Sequence, residues 1–282
     1  FVVVANGHYE KPHFPKDLCE GLEEFPAARL MHSRDYDRPE AFKDRTVICV
    51  GSRASGTDLA REIADVAAEV IVVDRSLRRG DSVPRDGGGA RGNIRRRRRL
   101  VRLTREGGAV LEDDESAGSG GEGGVGRPSR TVLEHVDVVI LCTGYDYHFP
   151  FLESSGRDGK PLVTSDERRV HPLYLQLFHA VYPSLAFVGI PHSVVPNPLH
   201  EYQATLLAAT FAPPPSAADE ARNSGMEAAY EVSATDALVQ AVQPLPPLRE
   251  RLAWVEALYA QQGNVRNTHH LGDKQWDYCL DL

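Results

Sequence analysis

Apolar runs separated by glycine turns and polar segments alternate along the first half of the chain. An apolar run at 46–50 leads into Gly51, and an amphipathic segment at 57–68 is followed by a second apolar run at 69–73. This strand, helix, strand order predicts a parallel sheet covered by helices. The stretch HVDVVILCTGY, which ends at Thr143-Gly144-Tyr145, is continuously apolar, as is typical of a central strand buried on both faces. The pattern therefore predicts an α/β fold.

The remaining segments predict further elements around this unit. Phe1 to Ala5 form an apolar run that predicts a buried strand, and a turn with a proline-containing linker follows it. Residues 94–103 and 109–112 are expected to pair as an antiparallel hairpin, whereas the polar, glycine-rich stretch 113–130 is expected to be a disordered loop. Toward the C-terminus we expect a strand at 185–189 and helices at 199–211 and about 246–262.

Composition narrows the class of protein. The 282 residues are 41% hydrophobic and 26% charged, which suits a globular chain of one or two domains. The net charge of −8 argues against nucleic acid or an anionic membrane as the main partner, and no apolar run reaches the roughly 18 residues of a membrane span. The four cysteines lie far apart, so neither a metal site nor a disulfide framework is expected. A cytoplasmic location is therefore expected, and the oligomeric state stays open.

The turn after the first apolar run has the layout of a dinucleotide-binding fingerprint. Gly51 ends the strand and Gly56 opens the helix, but Arg53 stands where the fingerprint has its second glycine. The N-terminus of a helix attracts anions, because its first N–H groups have no intrahelical partner and the helix dipole adds positive charge. Ser52 and Ser55 add hydroxyl donors, so this turn is a candidate phosphate site. The alternative is a tight turn that binds nothing.

A charged pair follows the second apolar run, where a dinucleotide fold recognises the adenosine ribose. Asp74 is the residue type that accepts a hydrogen bond from the 2′-hydroxyl of NAD, whereas Arg75 suits the 2′-phosphate of NADP. Arg78 and Arg79 lie close to Arg75 in sequence and favour NADP. The alternative is a solvated surface ion pair, which contributes little to stability.

Two other candidate chemistries are not supported by the sequence. The run Arg95 to Arg99 lacks interleaved aromatic residues for base stacking, so it is interpreted as an exposed strand rather than a nucleic-acid site. The chain has no GxSxG, HExxH or Walker motif, and therefore no hydrolase arrangement.

Several stretches, taken in their order, resemble the flavin-containing monooxygenases over nearly the whole chain. VVVANGHYEKPHFP is similar to the segment by which that family's chain leaves its FAD domain, and VGSRASGTDLA resembles its NADPH fingerprint. FPAARLMHSRDYDRPEAF resembles the family-identifying motif FxGxxxHxxx(Y/F), with Phe25, His32 and Tyr36 in the matching roles. DVVILCTGYDYHFPFL is similar to the ATG-type motif where the chain returns to the FAD domain. The stretches look most like plant- and fungal-type members that oxygenate sulfur or nitrogen.

The resemblance implies two Rossmann-like dinucleotide-binding domains. An NADPH domain at 15–145 would be inserted in an FAD domain, whose earlier part ends at 1–14 and which resumes at 146–282. The first glycine-rich loop of that family, which holds the FAD pyrophosphate, would precede Phe1, so the chain would be N-terminally truncated.

The resemblance also implies the cofactors FAD and NADPH and the residues that bind them. The residues implied for NADPH are Gly51, Ser52, Arg53, Ala54, Ser55, Gly56 and Arg75. Those implied for FAD are Asn6, Thr143, Gly144, Tyr145, Gly189 and Pro191. Arg53 is implied to be a working variant of the fingerprint, because similar members also carry a larger residue there. Gly144 is expected because a side chain beside the flavin would not fit.

In that family NADPH reduces FAD, and a C4a-hydroperoxyflavin then oxygenates a soft nucleophile such as a thioether or an amine. Because the cofactors carry the chemistry, no catalytic side chain is expected. One alternative is a Baeyer–Villiger monooxygenase or an N-hydroxylase of the same flavoprotein class; Tyr36, where the Baeyer–Villiger motif has tryptophan, argues against the former. Another is a non-catalytic NADP-binding remnant. This chain by itself is expected to be inactive, because it lacks the FAD phosphate loop.

Overall fold

A computed structural model of the chain describes residues 1–76, 92–112, 130–152, 161–211, 245–263 and 267–282. These residues form two compact units. The inserted unit runs from Pro12 to Gly144, and the flanking unit comprises Phe1–Lys11 and Tyr145–Leu282. Residues 113–129 of the loop predicted at 113–130, and the supporting arginines Arg78 and Arg79, lie outside the described residues.

The inserted unit is built on a five-stranded parallel sheet with the strand order β3, β10, β4, β5, β6. Its strands are β3 (Leu30–His32), β4 (Thr46–Val50), β5 (Glu69–Val73), β6 (Ile94–Arg97) and β10 (Val138–Leu141). Helix α1 (Ala54–Ala64) connects β4 to β5. All four residues of β10 are buried, because this strand lies between β3 and β4 and is covered on both faces.

Alternate residues of these strands are buried on opposite faces of the sheet. On one face, Val47 and Cys49 of β4 belong to an apolar cluster with Ala60 and Ile63 of α1. On the other face, the cluster that contains Ile48 also contains residues of a three-stranded antiparallel sheet. The strands of that second sheet are β7 (Arg99–Leu103), β8 (Ala109–Glu112) and β9 (Arg130–Leu133). The period-2 alternation of strand side chains thus gives the inserted unit two cores, one on each face of the parallel sheet.

The flanking unit contains a mixed four-stranded sheet with the order β1, β14, β13, β12. The strands are β1 (Val2–Val4), β12 (Leu173–Tyr174), β13 (Phe178–His179) and β14 (Leu185–Phe187). Only β1 and β14 run parallel. The helices are α2 (Pro196–Phe211), α3 (Leu248–Gln262) and α4 (Gln275–Asp281). Two short strands, β2 (Lys11–Pro12) and β11 (Tyr145–Asp146), lie where the chain passes from one unit to the other.

The mixed α/β class with parallel sheets and the strands at 46–50 and 69–73 are confirmed. The prediction for Phe1 to Ala5 is wrong in burial, since Val2 is 56% exposed and only Val4 is buried. The first helix begins at Ala54 and ends at Ala64 rather than spanning 57–68. The hairpin prediction is half wrong, because 94–97 joins the parallel sheet beside β5 and only 99–103 pairs with 109–112. Arg130, assigned to the loop, is the first residue of β9.

Candidate functional site

The turn after β4 requires glycine at Gly51. This residue has φ +115°, a left-handed conformation that favours glycine. An added Cβ would also collide with the backbone carbonyl oxygen of Cys142, the residue that follows β10. The Gly51 N–H donates to the carbonyl oxygen of Val73 at 2.9 Å, so the turn is fixed to the end of β5 as well. The first glycine of the fingerprint is thus required by both conformation and space.

Gly56 lets the first turn of α1 pack directly against this turn. An added Cβ at Gly56 would collide with the carbonyl oxygen of Gly51, would lie 2.7 Å from the carbonyl carbon, and would contact the Cys142 Cβ at 3.4 Å. This close approach of helix and strand is the role of the third glycine in a dinucleotide fingerprint.

Arg53 occupies the second glycine position without backbone strain. It is the N-cap residue of α1, with φ −74° and ψ −171°, an extended conformation open to any residue. Its side chain makes no capping hydrogen bond, and Arg53, Ala54 and Ser55 are all exposed. The N–H groups of the first helical turn therefore have no side-chain cap, which leaves them available to an anion. These residues fit a dinucleotide pyrophosphate although the second glycine is missing.

Asp74 and Arg75 follow β5 at the same carboxyl edge of the sheet, and their environments differ. Arg75 is exposed. Asp74 is 7% exposed, and its Oδ1 accepts hydrogen bonds from the Ser76 N–H at 2.9 Å and the Ser76 hydroxyl at 2.6 Å. Its Oδ2 lies 3.5 Å from Nη1 of Arg96 on β6. Burial alone would raise the pKa of Asp74, but hydrogen bonds from Ser76 and Ser52 and the charge of Arg96 outweigh it and hold that pKa below its ordinary value.

The family-motif residues lie within the inserted unit. Phe25 is buried in the cluster beneath the sheet, and Tyr36 packs against the α1 cluster on the other face. His32, at the end of β3, is fully buried. Its Nδ1 accepts a hydrogen bond from the Arg34 N–H at 3.1 Å, so Nε2 carries the proton and donates to the carbonyl oxygen of Gly144 at 3.0 Å. Burial lowers the pKa of His32, which keeps the ring neutral in this arrangement.

The turn at Thr143 and Gly144 ends the inserted unit and is held at several points. The Gly144 carbonyl oxygen accepts from His13 N–H at 2.9 Å as well as from His32, and the Thr143 hydroxyl donates to the His13 carbonyl oxygen at 2.5 Å. Gly144 has φ +81°, and an added Cβ would meet no other atom within 4 Å. The positive φ favours glycine here, and the expected crowding by a flavin stays a prediction. Tyr145 begins the flanking unit.

Asn6, Gly189 and Pro191 follow neighbouring parallel strands of the flanking unit. Val4 of β1 pairs with Phe187 of β14, so the residues after both strands lie at one edge of the sheet. Gly189 has φ +75°, and an added Cβ would lie 2.7 Å from Nε2 of His200. The structure thus brings these three predicted residues to one edge, while Gly51 to Gly56 and Arg75 share the carboxyl edge of the other sheet.

Two polar side chains that the sequence analysis missed support this edge of the flanking unit. Gln203, fully buried in α2, accepts from the Gly189 N–H at 2.9 Å and donates to the Tyr278 hydroxyl at 2.8 Å. His8 follows Asn6, and neither of its shielded ring nitrogens has a hydrogen bond of good geometry. The Gly189 backbone is nevertheless near enough to raise its pKa, although burial dominates and lowers it. Orphaned polar atoms beside two strand ends fit a site for a polar ligand such as the implied flavin.

Sequence patterns gave no direct sign of these two residues. The one available signal is that Gln203 stands among apolar residues on the buried side of α2, where a glutamine needs hydrogen-bond partners. The ring of His8 lies 4.4 Å from that of Tyr9 and 5.3 Å from that of Tyr147, contacts that depend on the fold.

Other kinds of site were sought in the described part of the chain. Within it, no three His, Cys, Asp or Glu side chains are grouped so that they could hold a metal ion. No helix of the same residues is long and apolar enough to cross a membrane.

Comparison with known proteins gives one consistent result. A family model described as flavin-binding monooxygenase-like matches residues 1–83. Flavin-containing monooxygenase FMO GS-OX-like 4 of Arabidopsis thaliana is 36% identical over 98% of this chain and 50% of its own length, and FMO GS-OX-like 3 of the same plant is 33% identical over the same shares. The chain spans about half the length of the curated relatives it matches.

Solved structures agree with these relatives. S-allyl-L-cysteine S-oxygenase from Allium sativum is 33% identical and superposes with a TM-score of 0.72, covering 99% of this chain and 52% of that one. Tmm from Pelagibacter superposes with a TM-score of 0.55 at 23% identity, a likeness that concerns the fold alone.

Proposed function

This chain belongs to the flavin-containing monooxygenase family, and on that premise we propose that it supplies the NADPH-binding unit and part of the FAD-binding unit of a monooxygenase. The family is FAD- and NADPH-dependent. The activity proposed is the transfer of one oxygen atom from O2 to a soft nucleophile, with NADPH supplying two electrons, the second oxygen atom leaving as water, and a thioether sulfur as the favoured acceptor. The sulfur preference is supported by the relative from Allium sativum, which is described as an S-oxygenase.

The observation that carries this proposal is the glycine turn of the inserted unit. Gly51 and Gly56 are each required by the close approach of β4, α1 and the end of β10, and the first turn of α1 presents uncapped N–H groups. Arg53 and Ser55 stand exposed at that helix end. We assign the NADPH pyrophosphate to this position, with Arg75 recognising the 2′-phosphate.

FAD is assigned to the flanking unit, where Asn6, Gly189 and Pro191 follow two paired parallel strands and His8 lies close by in sequence. The resemblance to the family also implies Thr143, Gly144 and Tyr145 as flavin-binding residues. When bound, FAD supplies the hydride-accepting and oxygen-activating chemistry. The residues named here would bind and orient it, so no acid–base residue is assigned to catalysis.

The proposal is tested by NADPH consumption. We would compare this chain with a polypeptide that extends it upstream in the same reading frame, each with added FAD, and follow NADPH absorbance with and without a thioether or a tertiary amine. We expect thioether-dependent oxidation of NADPH by the extended polypeptide. Gly51→Ala in that polypeptide should abolish it, because the added Cβ meets the Cys142 carbonyl.

Gly263→Ala is the matched control. Gly263 also has a positive φ of +61°, but an added Cβ there meets nothing within 4 Å, and it ends α3. This variant should lose some stability yet keep the NADPH consumption. An extended polypeptide that binds flavin but oxidises NADPH only with an amine or a ketone would contradict the assignment of sulfur as the acceptor. An extended polypeptide that binds NADPH but no flavin would support the alternative of a non-catalytic NADP-binding protein.

A further inference from the structure

Asp74 poses a problem for recognition of NADPH. It occupies the position from which an acidic residue accepts a hydrogen bond from the ribose 2′-hydroxyl of NAD. A carboxylate there would repel the 2′-phosphate of NADPH, which carries negative charge at neutral pH. The neighbouring Arg75 attracts the same phosphate, so the two residues act in opposite directions unless the charge of Asp74 is compensated.

The structure shows that this carboxylate is already engaged. One oxygen accepts both the N–H and the hydroxyl of Ser76, at 2.9 and 2.6 Å. The other oxygen faces the Arg96 guanidinium at 3.5 Å, and the Asp74 side chain is 9% exposed while that of Arg96 is 27% exposed. The bonds to Ser76 also fix the short turn on which Arg75 stands exposed. A shielded, hydrogen-bonded carboxylate has little remaining capacity to accept a ribose hydroxyl.

Arg96 reaches Asp74 because of the sheet order. It lies on β6, the edge strand, and pairs with Val72 of β5, two residues before Asp74. The Asp74 N–H donates to the Arg97 carbonyl oxygen at 2.8 Å, which continues the contact between these strands to the end of β5. The pairing of the two strands thus holds the Arg96 and Asp74 side chains close together. Because both side chains are largely buried, salt screens their attraction less than that of an exposed ion pair.

We propose that Arg96 determines the choice between NADPH and NADH in this chain, by neutralising Asp74 beside the site of the 2′-phosphate. The proposal rests on the NADPH site assigned above. Removing Arg96 would leave a carboxylate next to the phosphate and weaken binding of 2′-phosphorylated nucleotides selectively. A nucleotide with a free 2′-hydroxyl would lose little, since it places no charge there.

The test uses adenosine fragments, which need neither flavin nor turnover. Binding of 2′,5′-ADP and of 5′-AMP to the whole chain would be measured by isothermal titration calorimetry. We expect Arg96→Gln to weaken 2′,5′-ADP by about tenfold and 5′-AMP by less than about twofold. Arg95→Gln is the matched control: it lies on the same strand and loses an ion pair to Glu69, 3.6 Å away, without touching Asp74. It should change neither affinity.

A second variant separates charge compensation from a structural role of Arg96. Asp74→Asn in the Arg96→Gln background removes the uncompensated charge and should restore binding of 2′,5′-ADP. Asp74→Asn alone should bind 2′,5′-ADP as tightly as the native chain or more tightly, which keeps the test informative if Arg96→Gln does not fold.

Four outcomes would overturn the inference. Equal losses for both nucleotides in Arg96→Gln, or no rescue by Asp74→Asn, would show that Arg96 acts on the turn and not on specificity. Weaker 5′-AMP binding by Asp74→Asn alone would show that Asp74 is a direct ribose acceptor. A folded native chain that binds neither nucleotide would refute the proposed function itself, an outcome distinct from the other three.

Discussion

Replacing Gly56 with alanine places one methyl group between the first turn of α1 and the turn after β4. The added Cβ would lie 2.7 Å from the carbonyl carbon of Gly51 and still closer to its oxygen. Both atoms belong to the backbone, so the collision can be relieved only if helix and strand move apart; rotation of a side chain would not be enough. The Cys142 Cβ, 3.4 Å from the added methyl group, prevents that group from shifting toward β10.

The magnitude follows from two opposing effects. Overpacking a closely packed site costs about 1–3 kcal/mol, and a contact between backbones belongs near the upper end. Alanine in place of glycine in a helix returns up to about 1 kcal/mol. We therefore expect Gly56→Ala to lower the free energy of unfolding by about 2 kcal/mol and, by displacing the Gly51 carbonyl, to weaken NADPH binding by at least about tenfold.

Urea unfolding and NADPH titration of the same preparations would measure both effects. Asp58→Ala is the matched control, because Asp58 is exposed on the same helix and the change alters helix propensity without adding a contact. It should shift stability by less than about 0.5 kcal/mol. If Gly56→Ala matches the native chain in both measurements, the argument that this glycine allows close helix packing is refuted.

Further expectations concern residues that hold the two sheet edges. His32→Leu removes the donor to Gly144 and should lower the stability of the inserted unit, measured by urea unfolding, by about 3 kcal/mol; an unchanged midpoint would contradict that role. Gly189→Ala should destabilise the flanking unit through both its positive φ and the His200 ring, so adding His200→Ala should recover only part of the loss in thermal unfolding; full recovery would show that φ is not limiting. Burial lowers the pKa of His269 to about 3 from 6.5. Because the folded value is the lower one, the unfolded chain takes up a proton first as the pH falls below 6.5, and the free energy of unfolding declines toward pH 3, by about 2 kcal/mol between pH 7 and 5. His269→Gln should flatten this pH dependence of stability, and an equally steep profile in the variant would show that His269 does not cause it.

Strands that are buried on both faces could be predicted from sequence alone. The runs at 46–50 and 69–73 match β4 and β5 because four of the five positions in each run are apolar and buried, as is typical of a strand covered on both faces. The short strand β3 could not be predicted, because its three residues carry too little pattern to stand out. Helix α1 begins at Ala54, before the predicted start at 57, because its first turn packs Gly56 against the turn after β4, a contact that the hydrophobic pattern does not show.

Positions whose role depends on a distant neighbour could not be predicted. The arginine run at 95–99 was interpreted as one exposed strand, but it divides between an edge strand of the parallel sheet and a strand of the antiparallel sheet. Only the pairing of β5 with β6 brings Arg96 to Asp74. In the same way, Gln203 and Gly189 meet because α2 covers the end of β14, and no local pattern encodes that contact.

Equilibrium binding of NADPH and NADH to the purified chain tests the assignment of the glycine turn without flavin, oxygen or a sulfur substrate. We expect saturable binding of one NADPH per chain by calorimetry, at least about tenfold tighter than NADH, and lost in Gly51→Ala but kept in Gly263→Ala. A folded chain that binds neither nucleotide, or that binds both equally and without dependence on Gly51, would contradict it.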